Sequence, residues 1–152
     1  MRTSLTLPFI GKYLKASGLD VKRDGNAYYA DLAQEKDLLV GLKKGKLSVA
    51  VALPVNEEET ETVSMLADIT IASTMMTKVF LVPEEDGMNM WFAVETFCKT
   101  RGQFEEIFDP TFKLLLESVR TYVKIREEVE EAMQIETMTD YLMSRTSEVQ
   151  PS

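Results

Sequence analysis

The stretch that most restricts the fold is Val55 to Thr77, VNEEETETVSMLADITIASTMMT. Its spacing predicts one helix with strand-like sequence on either side. Asn56 suits the N-cap, and Glu59, three residues on, can reach back in a capping box. Glu57 to Glu61 places negative charge where the helix dipole favours it. At 100° per residue, Met65, Ile69, Ala72 and Met76 share one face, while Val63, Ala67, Ile71 and Met75 form a second apolar stripe roughly opposite. Ile69-Thr70-Ile71 also has β-branched strand propensity, but the cap and the long apolar spacing decide for helix. A helix lying on one sheet needs a single apolar stripe. The second stripe therefore needs a cover.

The flanking sequence supplies the sheet. A first helix is predicted from Leu7 to Ser17, with Pro8 in its first turn and Gly18 at its C-cap. Three or four strands follow, punctuated by Asp24-Gly25-Asn26, by a loop from Gln34 to Asp37, and by Lys43-Lys44-Gly45-Lys46. Leu47 to Leu53 is the cleanest period-two segment: Leu47, Val49, Val51 and Leu53 alternate with Ser48, Ala50 and Ala52. Pro54 is expected to end it. After the central segment, Lys78 to Val82 and Met88 to Cys98 read as a hairpin, with Met90, Phe92 and Val94 on one face and Trp91, Ala93 and Phe97 on the other. Thr100 to Phe108 reads as a loop or short helix, and Asp109-Pro110 as the start of a long one. Its core stripe, from Phe112 through Leu115, Val119 and Tyr122, ends near Val123. Residues 1–133 are thus expected to form a single α+β domain, an antiparallel sheet with helices packed on it in the order α-βββ-α-ββ-α. Residues 134–152 would be a tail, either a short docking helix or disordered.

Composition removes most chemistry. The 152 residues contain no histidine and one cysteine, Cys98, so metal sites built on nitrogen or sulfur are not expected. The carboxylate runs Glu57-Glu58-Glu59 and Glu84-Glu85-Asp86 are accounted for by a helix dipole and a turn. Cys98 has no histidine to activate it, and Lys99 and Arg101 nearby are its only aids to reactivity. There is no glycine-rich phosphate loop. Neither a signal-peptide-like apolar run nor a run of about 18 apolar residues occurs, and a lone cysteine suits a reducing cytoplasm.

Net charge is −8, unevenly distributed: residues 1–46 carry 9 Lys+Arg against 5 Asp+Glu, and residues 47–152 carry 8 against 20. Such a chain repels nucleic acid and anionic membrane, which are bound by neutralising negative charge. Lys43, Lys44 and Lys46 are read as a solvated hairpin tip.

The segments VAVALPVNEEETETVSMLADI, KVFLVPEEDGMNMWFAVET and FKLLLESVRTY carry a resemblance. In order and pattern they resemble the type III secretion chaperone-like fold, and within it the YbjN-type bacterial sensory-transduction-regulator family. The similarity spans roughly residues 5–125 and rests on pattern, with no catalytic signature. It implies a small cytoplasmic protein that binds other proteins, often as a homodimer.

The expectation is accordingly a protein-binding adaptor or chaperone-like regulator that is not an enzyme and needs no cofactor or metal. Val63, Ala67, Ile71, Met75 and Trp91 would contact the partner, and the first four would lie near a homodimer interface. The rivals are a small-molecule pocket between the sheet and the last helix near Trp91 and Tyr122, and a carboxylate-based hydrolase.

Overall fold

The computed structural model describes residues 3–55, 78–85 and 87–149. In chain order these form α1 (Leu7–Ala16), β1 (Val21–Asp24), β2 (Ala27–Leu32), β3 (Lys36–Lys43), β4 (Lys46–Val55), β5 (Lys78–Glu84), β6 (Gly87–Phe97) and α2 (Arg101–Val149). The strands make one antiparallel sheet in the order β1-β2-β3-β4-β6-β5. Four strands, not three, precede the central segment. The first of them is the short edge strand β1, which runs into the Asp24-Gly25-Asn26 turn and is paired from Val21 opposite Ala30 to Asp24 opposite Ala27. The predicted central helix, with Val63, Ala67, Ile71 and Met75, lies outside the described residues.

Local chemistry explains the elements. The Thr6 hydroxyl accepts the Phe9 N–H at 3.3 Å, and Gly18 leaves α1 at φ 91°. The β3–β4 turn is Lys44-Gly45, both at positive φ (52° and 75°), the geometry whose twist matches a two-residue hairpin. Gly11 is where α1 meets the sheet. A Cβ built there would stand 2.6 Å from the Tyr28 hydroxyl, so any larger residue would have to displace the Tyr28 ring.

Alternation divides the sheet into two faces. Leu38 and Val40 of β3, Leu47 to Leu53 at odd positions of β4, and Met90 and Phe92 of β6 are buried on the first face, under both described helices. Leu115, Val119 and Tyr122 of α2 are fully buried against it, and Phe92 meets Tyr122 edge-on at 5.9 Å. Packing extends past Val123 to the partly buried Ile125 and Val129.

Two prolines that looked like boundaries are internal. Pro54 lies within β4, opposite Asn89 of β6. Pairing with β3 stops at Ala52, so no strand among the described residues needs an N–H from position 54 on that side. Pro110 lies within α2, which begins at Arg101. The start is a capping box: the Gln103 N–H donates to the Thr100 hydroxyl at 3.2 Å, and the Gln103 side-chain oxygen accepts the Thr100 N–H at 3.2 Å and the Lys99 N–H at 3.0 Å. The turns around Pro110 are held by aromatic packing. Phe104 touches Tyr13 and Phe108 at ring distances of 5.1 and 5.3 Å, and Phe108 touches Phe112 at 5.7 Å. The expected tail is the continuation of α2 to Val149, and its side chains from Glu130 to Ser144 are exposed.

Candidate functional site

The second face of the sheet is polar at its rim and small-residued at its centre. Even positions of β4 place Ser48, Ala50 and Ala52 there, beside Ala93 and Trp91 of β6, because Ala50 pairs with Ala93 and Ala52 with Trp91. Leu39 of β3 and Tyr29 of β2 continue the row, since Leu39 stands opposite both Ala50 and Tyr29. Small side chains flanked by larger ones make a concavity, and a cavity of about 770 Å³ occupies it.

Its wall is acidic. Asp20, Asp24, Asp31, Asp37, Glu84 and Glu95 line it, with Lys22 as the one lining cation among the described residues. Asp31 and Asp37 stand directly opposite each other on β2 and β3. Two carboxylates so placed concentrate negative charge on this part of the wall. Glu84 is fixed in place: one carboxylate oxygen accepts the Trp91 indole N–H at 2.7 Å, and the other accepts an Asn89 amide N–H at 2.7 Å. That clamp orients the Trp91 ring at the cavity wall. Lower on the same face, Lys46 reaches Glu95 at 2.7 Å and Lys78 reaches it at 3.6 Å. The Lys46 hydrogen bond and charge, then Lys78, hold the Glu95 carboxyl below its ordinary range. Phe97, across from Lys46, is strongly exposed at 77%.

Cys98 sits under the end of the sheet, 1% exposed, its thiol directed at the Thr100 carbonyl oxygen at 3.8 Å. Burial raises its pKa and outweighs that hydrogen bond, the reverse of what a nucleophile needs. Among the described residues no group of three Asp, Glu or Cys side chains is placed to hold a metal ion. No described helix is long and apolar enough to cross a membrane.

Of the residues singled out from sequence, Trp91 is at this cavity. Tyr122 is not: it packs with Phe92 on the opposite face, so the two residues named for a pocket between the sheet and the last helix lie on opposite sides of the sheet, and Trp91 is not on the helix side. The Glu84–Trp91 contact had no signature beyond a separation of seven residues across a hairpin. The acidic wall left a partial one, the alternation of Asp20, Lys22 and Asp24.

No family model matches the sequence, and no curated protein matches it. Among solved structures, YbjN from E. coli, described as a candidate transcription regulator, covers 82% of this chain and 94% of its own length, with a TM-score of 0.65 and 13% sequence identity. The chain has the YbjN fold. The expected α+β architecture, an antiparallel sheet with helices packed on it, is therefore the one observed. At this identity the likeness to YbjN carries the fold and assigns no role to any side chain.

Proposed function

We propose that the protein is a non-enzymatic regulatory adaptor that binds a segment of another protein on the second face of its sheet. The observation that carries this reading is the 770 Å³ acidic cavity walled by Trp91 and Tyr29. Its chemistry suits a basic segment with an apolar or aromatic side chain: carboxylates attract the charge, and ring faces accept cations and apolar groups alike. Support also comes from the described role of YbjN as a candidate regulator. A cytoplasmic location and a homodimer paired through Val63, Ala67, Ile71 and Met75 belong to the same proposal.

Trp91 is the only tryptophan in the chain, so its fluorescence reports directly on this cavity. Short peptides of alternating lysine and leucine should change the emission saturably, and the glutamate–leucine versions should not. Asp31→Asn and Glu84→Gln should weaken the response. A flat response to every peptide, together with a native pull-down that recovers a metabolite and no protein, would instead support a small-molecule site, since 770 Å³ is within the ordinary ligand-pocket range of ~300–1,000 Å³. For the dimer, Ile71→Asp should convert it to a folded monomer by light scattering. A wild-type protein that is monomeric at high micromolar concentration ends that part of the proposal.

A further inference from the structure

The layer between sheet and α2 opens at one end. There Leu53 and Pro54 of β4, Val119 and Val123 of α2, and the Gln34–Lys36 turn enclose a cavity of about 330 Å³. Three cations line it: Lys36, Arg120 and Arg126. Glu35 is the one carboxylate lining it among the described residues.

In a chain of net charge −8, cations have many carboxylates to choose from. Glu117 and Glu130 stand one turn away from Arg120 and Arg126 on the same helix, yet neither arginine forms an ion pair among the described residues. Among the described residues the Lys36 ammonium is bonded to the neutral Gln34 side chain, at 3.4 Å, and the Arg126 guanidinium lies over the Tyr122 ring, 5.5 Å from its centre. Cation–π attraction to the ring holds the Arg126 charge near the mouth without neutralising it. The turn that brings Lys36 in holds two successive non-glycine residues at positive φ, Gln34 at 63° and Glu35 at 59°. Positive φ is what a short hairpin loop between β2 and β3 requires, and it sets where Lys36 re-enters the sheet. An apolar floor with a few converging charged groups at its mouth is the usual form of a small-ligand site.

We propose that this mouth binds a small organic oxyanion, with its charged group on Arg120, Arg126 and Lys36 and its apolar part on Val119, Val123 and Leu53. The net negative charge of the rest of the molecule does not prevent this, because salt screens it beyond ~8 Å at physiological ionic strength. Exposed pairs with Glu117 or Glu130 are weak competitors for the arginines. This site stands independently of the acidic cavity on the other face.

The test uses the full chain and amide NMR shifts during titration with inorganic phosphate, phenyl phosphate, benzoate and benzyl alcohol. Saturable shifts should be confined to the neighbourhood of Gln34, Lys36, Val119, Arg120 and Val123, and phenyl phosphate should bind more tightly than inorganic phosphate. Benzoate binding as well means a general oxyanion site, whereas phenyl phosphate alone means a phosphate ester. Arg120→Gln, a change at an exposed side chain, should lower affinity about tenfold or more, as loss of a charged hydrogen bond does, with unchanged melting. Lys44→Gln at the hairpin tip should change nothing. The proposal fails if shifts spread equally over Lys43, Lys44 and Lys46, if benzyl alcohol binds as well as the anions, if no anion saturates by ~10 mM, or if Arg120→Gln retains full affinity.

Discussion

Two places compete as the start of α2, and a pair of alanine substitutions separates them. If the helix begins at Arg101, Thr100 is its cap, and Thr100→Ala removes the hydroxyl that accepts the Gln103 N–H at 3.2 Å. Loss of an N-cap costs ~1 kcal/mol, within a range of about 0.5–2. Gln103→Ala releases the Lys99 and Thr100 N–H groups, both at an exposed position where water replaces the lost acceptor, so its cost should be ~0.5–1 kcal/mol. The two share one motif, and their combination should cost less than the sum. Asp109, eight residues into α2 and exposed, has no cap to provide, so Asp109→Ala should stay within ~0.5 kcal/mol of wild type. Urea unfolding resolves these differences: with a slope of ~2 kcal/mol/M, Thr100→Ala should move the midpoint by ~0.5 M at unchanged slope. The amide of Phe104, bonded to the Thr100 carbonyl at 3.1 Å, should exchange faster in the Thr100 variant. The reverse ranking, with Asp109→Ala costing ~1 kcal/mol and Thr100→Ala nearly silent, would show that the helix starts at Asp109-Pro110 and that residues 101–108 are not part of it.

Removing residues 134–152 should lower stability by less than ~1 kcal/mol in the same assay, because the side chains from Gln134 to Ser144 are exposed; a loss of several kcal/mol would show this end of α2 to be docked. Cys98 should react with iodoacetamide in the folded protein far more slowly than a free cysteine peptide at pH 7.5, since burial raises its pKa and leaves less thiolate; an equal rate refutes its placement. Glu95 should titrate below its ordinary value of 4.5, with its contribution to stability present above that value and lost as pH falls through the lowered one. Lys46→Gln should return the midpoint toward normal, as followed by carboxyl-carbon NMR, and an unmoved midpoint would show the 2.7 Å bond to be absent in solution.

What could be read from the sequence was whatever a single element decides for itself. The period-two pattern of Leu47 to Leu53 fixed a strand with one large-residue face and one small-residue face, and both faces are found as such. Pro8 and Gly18 bounded α1 to within a residue. The misreadings were of residues whose usual meaning was overruled from elsewhere. Pro54 continues a strand because β3 has already ended beside it, and Pro110 continues a helix whose neighbouring turns are packed among Phe104, Phe108 and Phe112. The Thr100–Gln103 capping box was present in the sequence, but Asp109-Pro110 is the stronger local signal and concealed it. The acidic cavity was legible only in fragments, because Asp31 meets Asp37, and Glu84 meets Trp91, through strand register.

Register also decides the electrostatics, more than the division of charge along the chain does. Two cations of the basic first third are set among carboxylates: Lys22 lines the acidic cavity and Lys46 is occupied by Glu95. The mouth under α2 takes two of its three cations from the acidic remainder, as Arg120 and Arg126. The two regions meet at Lys36 and Asp37, consecutive residues of β3, one lining the mouth and the other the acidic cavity. A slip of one residue in β3 would exchange them, moving a carboxylate into the mouth and an ammonium into the cavity. It would also turn Leu38 and Val40 out of the core, where both are now buried. The Lys44-Gly45 turn at one end of β3 and the Ala33-Gln34-Glu35 turn at the other hold that register, so both surfaces depend on the same two turns.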